Sequence, residues 1–233
     1  MSQHKTAYMS AKTHWNPWGH LLVIALTIAI FILAAAFPKF PGDQWALLEF
    51  QELQAAWLTT SSQGLSYLGG SITAAAVSLA AIIALWLTNR RTDSLMALLG
   101  GFLIVAGISL KLLIDRPRPD YFLVASGPHL SSFPSGHTIF ATIFFGFAIV
   151  LVGDWVQRPS ARRSLQAGLI LLILAVGASR VYLGFHWPSD VLGGYLYGAL
   201  AVVELIWIRN RLVNRGHLIK SHLGSGLWAD KQD

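Results

Sequence analysis

Two histidines stand in short runs that interrupt a mostly apolar chain. One run is Pro134-Ser135-Gly136-His137; the other is Ser179-Arg180 followed by His186 and Asp190. A third run, Lys111 to Pro119 (KLLIDRPRP), carries three cations to the end of another apolar segment. His186 and Asp190 are four residues apart, so the carboxylate can hold one ring nitrogen and leave the other as a nucleophile. Pro134-Ser135-Gly136-His137 opens a helical segment. A helix start presents free backbone N–H groups and the positive end of the dipole, which suits an anion. Gly136 would let an oxyanion approach the backbone closely, and Ser135 adds a hydroxyl, although serine there also reads as a helix cap. Two histidines, a carboxylate and Lys111, Arg118 and Arg180 together point to chemistry on an anion, with phosphate the obvious candidate.

These residues must be positioned by a membrane domain. The chain has 233 residues, 54% hydrophobic and only 12% charged, about half the charged fraction of a soluble domain. Apolar runs near the ~20 residues that cross a bilayer recur along it. The predicted fold is all-α: an integral membrane bundle of six transmembrane helices near 20–37, 68–88, 94–114, 138–156, 165–183 and 190–208. On this reading 1–19 is a cytoplasmic segment, 20–208 the six-span domain and 209–233 a basic, partly disordered cytoplasmic tail. Ala34-Ala35-Ala36 resembles a signal-peptidase site, but the apolar run before it is long for a signal peptide, so an uncleaved first span is expected. Between spans 1 and 2, residues 43–58 mix Trp45, Leu48, Leu53 and Trp57 with Glu49, Gln51, Glu52 and Gln54. That fits a short interfacial amphipathic helix or a connector packed on the bundle.

Charge placement sets the orientation. Twelve of the 17 lysines and arginines fall before span 1, between spans 2 and 3, between 4 and 5, and after span 6. The positive-inside tendency then puts both termini in the cytoplasm. The three unusual runs share the opposite, extracytoplasmic face, because the loops bearing them are two crossings apart. The net charge of +6 is explained by this topology, and no nucleic-acid partner is expected; the partners are membrane lipids and a lipid-borne substrate. Absence of cysteine removes disulfides, thiolate metal sites and cysteine nucleophiles.

Lys111 and Arg180 lie inside predicted spans, where an ionisable group costs roughly 2.5–3.5 kcal/mol and so marks function by default. Glu204 and Asp154 fit interfacial snorkelling instead, and His4, His14, His20, His129, His217 and His222 carry no assigned role. A catalytic metal is not expected, since the candidate face concentrates cations that would repel one.

The three runs resemble the signature of the type 2 phosphatidic acid phosphatase superfamily, which spans membrane lipid phosphatases and soluble vanadium haloperoxidases. Lys111, Arg118 and Pro119 meet K-x6-R-P; Pro134 to His137 meet P-S-G-H; Ser179, Arg180, His186 and Asp190 meet S-R-x5-H-x3-D. The resemblance implies His186 as the nucleophile that forms a phosphohistidine, Asp190 as its orienting group, and His137 as the acid that protonates the leaving oxygen. It assigns Lys111, Arg118, Arg180, Ser135 and Gly136 to the phosphate oxygens, and implies no cofactor. Arg116 is outside the motif and is expected at the site rim or paired with Asp115 or Asp120. The implied activity is metal-independent hydrolysis of a lipid phosphate or diphosphate, with undecaprenyl diphosphate slightly favoured over phosphatidylglycerophosphate and phosphatidic acid. A phosphotransferase, or a non-hydrolytic protein that binds or transports a lipid phosphate, is the alternative.

Overall fold

The computed structural model describes residues 17–53, 55–121, 123 and 131–229, with side chains as far as Asn214. Predicted features at 1–16, at His129 and in the side chains of the tail, among them His217, His222 and Lys220, lie outside the described residues. Among the described residues there are eight α-helices: α1 Pro17–Ala36, α2 Asp43–Gln51, α3 Ala56–Leu68, α4 Ser71–Leu87, α5 Arg91–Ser109, α6 Gly136–Trp155, α7 Pro159–Tyr182 and α8 Pro188–Ala229. Among the described residues α1, α5, α6, α7 and α8 are each long and apolar enough to cross a membrane.

The remaining membrane-length stretch is a bent pair. α3 and α4 meet at Gly69-Gly70 with a bend of 55°; the helix expected near 68–88 is α4, and the bend lies at its start. Neither glycine adds a Cβ to hold the helix together, and the ring of His137 occupies the space beside Gly69. The segment 43–58 is likewise not one helix. α2 ends at Gln51, and α3 starts at Ala56 and packs on α7. Most of α3 is therefore a bundle element, while Trp45 and Trp57 stay exposed.

α6 is the central helix, packed on α7 and α8. Ile139, Ile143, Phe147 and Leu151 recur every four residues on its buried face, and Met96 of α5, Leu85 of α4, and Ala201 and Leu205 of α8 close around them. The α6–α8 seam is built from small residues. A Cβ at Gly194 would lie 2.9 Å from Thr138, one at Gly198 2.5 Å from Thr142, and one at Gly146 2.9 Å from Val202. Such stripes let two backbones approach where lipid offers no hydrophobic drive to associate. α8 runs well past the predicted end of the last span at 208 and is helical to Ala229. No proline interrupts that stretch, and its arginines and leucines are good helix formers.

At the end of the bundle away from the two histidine runs, Arg209 of α8 binds Asp93 of α5 at 2.7 Å and Asp154 of α6 at 2.6 Å. Asp154, expected to snorkel, is instead one arm of this clasp. Glu204 lies 3.0 Å from His20 of α1.

Candidate active site

The three sequence runs converge at one end of the bundle. Lys111 lies in a 3₁₀ turn, Leu110–Leu112, that continues α5. Its Nζ donates to the carbonyls of Ser131 at 2.9 Å and Ser132 at 3.1 Å, which ties the end of α5 to the strand of chain leading into α6. Arg118 follows in the extended segment and donates to the Phe185 carbonyl at 2.7 Å. Arg180 sits in the last turn of α7, stacked 4.5 Å over Phe185, and donates to the hydroxyl of Ser66. Three cations from three segments thus surround the loop that carries His186.

That loop is short because α7 stops at Tyr182 and α8 starts at Pro188. Gly184 makes the reversal at φ 77°, a region that suits glycine. His186 is held there, 3% exposed, with Asp190 in the first turn of α8 and fully buried. Asp190 Oδ2 accepts from the Trp187 N–H at 2.8 Å and from the Ser132 hydroxyl. His186 Nδ1 stands 3.4 Å from the same oxygen, near it but without a well-aligned hydrogen bond. Burial, reinforced by the charges of Lys111, Arg118 and Arg180, holds the His186 imidazole well below the usual histidine range. Its neutral form is the one a nucleophile needs.

Ser135 caps α6 by its position rather than by a side-chain bond. Its N–H donates to the Asp190 carbonyl at 3.1 Å, and its hydroxyl accepts from Thr138 at 3.0 Å. Gly136 and His137 then face a cavity shared with Lys111, Arg118, Arg180 and His186. Ser135 and Asp190 are fully buried behind that surface. His137 Nε2 lies 3.2 Å from the Ser66 carbonyl, which can only accept, so this nitrogen carries the proton. A Cβ at Gly69 would fall 2.4 Å from the His137 ring, so the glycine of the α3–α4 bend is what admits the imidazole.

The cavity has a volume of about 700 Å³. Beyond the polar end it runs between Ala74, Ala75 and Ser78 of α4 and Gly101, Phe102 and Val105 of α5. Its walls are small or apolar, and a Cβ at Gly101 would meet nothing within 4 Å. A head lined by cations and an apolar tail are therefore one continuous space.

Four residues of this arrangement were not singled out from the sequence: Ser66, Ser132, Asp43 and Ser189. Arg116 was misplaced. It neither sits at the rim nor pairs with Asp115 or Asp120. Its side chain is fully buried and binds Asp43 at 2.9 Å and Asp190 at 2.5 Å. The polar serines ahead of Gly69-Gly70 were the available signal for Ser66; nothing local marks Asp43, which meets its partners across the fold.

A sequence model of the PAP2 superfamily matches residues 94–214. The chain belongs to the PAP2 superfamily. It is 31% identical to phosphatidylglycerophosphatase B of Bacillus subtilis over 154 residues, 64% of this chain and 73% of that protein. It is 32% identical to decaprenylphosphoryl-5-phosphoribose phosphatase of Mycobacterium tuberculosis over 155 residues, 64% of this chain and 80% of that one. The crystal structure of the transmembrane PAP2-type phosphatidylglycerolphosphate phosphatase from Bacillus subtilis superposes with a TM-score of 0.68 at 25% identity. That match covers 83% of this chain and 97% of the other. With its long apolar helices, this PAP2 chain is an integral membrane hydrolase.

Proposed function

We propose that this protein removes a terminal phosphate from a lipid phosphate or diphosphate through a phosphohistidine on His186, with no metal ion required. The observation that carries the reading is the single cavity whose head holds Lys111, Arg118, Arg180, His137 and His186 and whose tail runs between apolar helix faces. The head is electrostatically complete for a phosphoryl group, and the tail suits a lipid chain.

The chemistry follows from the geometry. Asp190 faces Nδ1 of His186, so Nε2 is the attacking atom; it forms a bond to phosphorus as the bond to the lipid oxygen breaks. His137, cationic once the negative charge of the substrate enters the head, turns its Nε2–H from the Ser66 carbonyl to protonate the departing oxygen and is left as neutral imidazole. Lys111, Arg118, Arg180 and the Gly136 N–H hold the equatorial oxygens, with the buried Ser135 hydroxyl beside them. These fixed charges supply the stabilisation that metal ions give other phosphoryl-transfer sites. Water then attacks the phosphohistidine, His137 takes its proton, and inorganic phosphate leaves. The 3.4 Å gap between His186 and Asp190 closes when substrate orders the loop, as is common for catalytic contacts in unliganded enzymes.

In this reading the bent pair α3–α4 is one span, giving six in all between a short N-terminal segment and a basic C-terminal tail. Both termini are cytoplasmic. The site then opens at the extracytoplasmic face of the cell membrane, opposite the Arg209 clasp. The named relatives act on phosphate carried by lipids, which supports the substrate class. Undecaprenyl diphosphate, phosphatidylglycerophosphate and phosphatidic acid form the panel to test, led by the first. Phosphate release by purified protein in detergent with EDTA is the assay. Release above background from at least one lipid of the panel is the expected result; release from none would overturn the proposal.

A further inference from the structure

Arg116 is two residues from Arg118, yet it takes no part in the cavity. Its guanidinium is fully buried and reaches three segments at once. Nε donates to the Pro38 carbonyl at 3.1 Å, Nη2 to Asp43 Oδ2 at 2.9 Å, and Nη1 to Ser189 Oγ at 2.8 Å and Asp190 Oδ1 at 2.5 Å. Asp43, at the start of α2, closes the ring. Its carboxylate accepts from the Ser189 N–H at 3.0 Å, the Ser189 hydroxyl at 2.6 Å and the Phe40 N–H at 2.8 Å.

Both carboxylate oxygens of Asp190 are thereby engaged. Oδ1 is bound by Arg116; Oδ2 takes the Trp187 N–H and the Ser132 hydroxyl and faces His186 Nδ1. A carboxylate turns easily about its terminal bond, and the Arg116 clamp on Oδ1 adds to the Trp187 and Ser132 bonds on Oδ2 in keeping Oδ2 toward His186. One guanidinium shared by two carboxylates also leaves negative charge on Asp190 for the imidazole. A lone Arg–Asp pair would cancel it.

We infer that Arg116 and Asp43 are a positioning pair that fixes the Asp190 carboxylate against His186. The inference rests on the proposed function, since it concerns the orientation of the proposed nucleophile. Neither residue touches substrate; both act through Asp190, as outer partners of a catalytic group do when they hold its orientation.

The test is a double-substitution cycle on the full chain in detergent micelles, with undecaprenyl diphosphate, phosphatidylglycerophosphate and phosphatidic acid as substrates and phosphate release as readout. Arg116→Gln is expected to lower kcat about 10- to 100-fold, the usual loss for such partners, with KM changed by less than about threefold. On an Asp190→Asn background the same substitution is expected to cost less than about threefold, because the group it acts through is already altered. Arg116→Lys, which keeps the charge and loses the fork, should recover only part of the activity. Equal losses on both backgrounds, a loss in KM alone, or no loss would overturn the inference. Asp43→Asn guards against misfolding of the arginine variant, since it leaves Arg116 on Asp190. A several-fold fall in kcat that disappears on the Asp190→Asn background is expected, and an unchanged kcat would count against the pair. Wild-type protein inactive on all three lipids of the panel would defeat the proposed function; active wild type with unaffected Arg116 and Asp43 variants would defeat only this inference.

Discussion

At the scale of residues, the two histidines differ in what surrounds them. His186 is buried against a carboxylate, whereas His137 rests on a carbonyl and faces the cavity. These surroundings predict different phenotypes. His186→Ala should lower kcat by at least about a thousandfold on every substrate. His137→Ala should be rescued by p-nitrophenyl phosphate, whose leaving group needs no proton, and His186→Ala should not. Comparable rescue of both variants would contradict the division of roles. The depressed His186 titration also affects stability. An unfolded histidine takes up a proton below about pH 6.5 that the folded, buried one refuses, so the folded state loses stability as pH falls through that value. The detergent thermal midpoint should fall between pH 7 and 5, and His186→Asn should lessen that fall. Identical slopes would show that this residue does not carry the effect. Lys111, Arg118, Arg180 and both histidines were legible from the sequence because their types and spacing are unusual within apolar runs. Arg116 was not, because its partners Asp43 and Asp190 lie 73 and 74 residues away and only the fold joins them.

At the scale of elements, the bend between α3 and α4 shapes the site. It brings Ser66 under His137 and Arg180, and Gly69 leaves room for the imidazole. Gly69→Ala should displace His137 and lower kcat about tenfold or more, a cost in line with small misplacements of catalytic groups. Gly64→Ala, where a Cβ would meet nothing within 4 Å, should keep activity and raise helix stability by up to about 1 kcal/mol. Equal activity in the two variants would show that the bend does not set the His137 position. Hydropathy reveals that 68–88 is membrane-like but is blind to the bend that joins it to α3, since glycine pairs occur in straight helices too. Gly100-Gly101 is such a pair: it lies within the unbroken α5. The tail was misread for a related reason. Polar, basic composition says that a segment avoids lipid, not that it stops being helical.

At the scale of the whole molecule, the bundle joins a charged head to an apolar groove, so chain length should matter to binding more than to chemistry. Gly101→Phe fills the groove between α4 and α5. It should raise KM for a long-chain lipid phosphate about tenfold or more while affecting a short-chain analogue far less. Equal effects on both would mean that the tail lies elsewhere. Topology alone brought the three runs to one face, and the fold joins them there: the segment after α5, the start of α6, the end of α7 and the α7–α8 loop line one cavity. The groove itself could not be read from the sequence, since small residues on α4 and α5 are equally consistent with tight packing. The central claim is that phosphate passes through His186. Rapid quench of the enzyme with a lipid radiolabelled in its terminal phosphate, in the presence of EDTA, tests it directly. Label that stays on wild-type protein in base, is released in acid, and is missing from His186→Ala is the predicted result; release of phosphate at the wild-type rate by His186→Ala would contradict it.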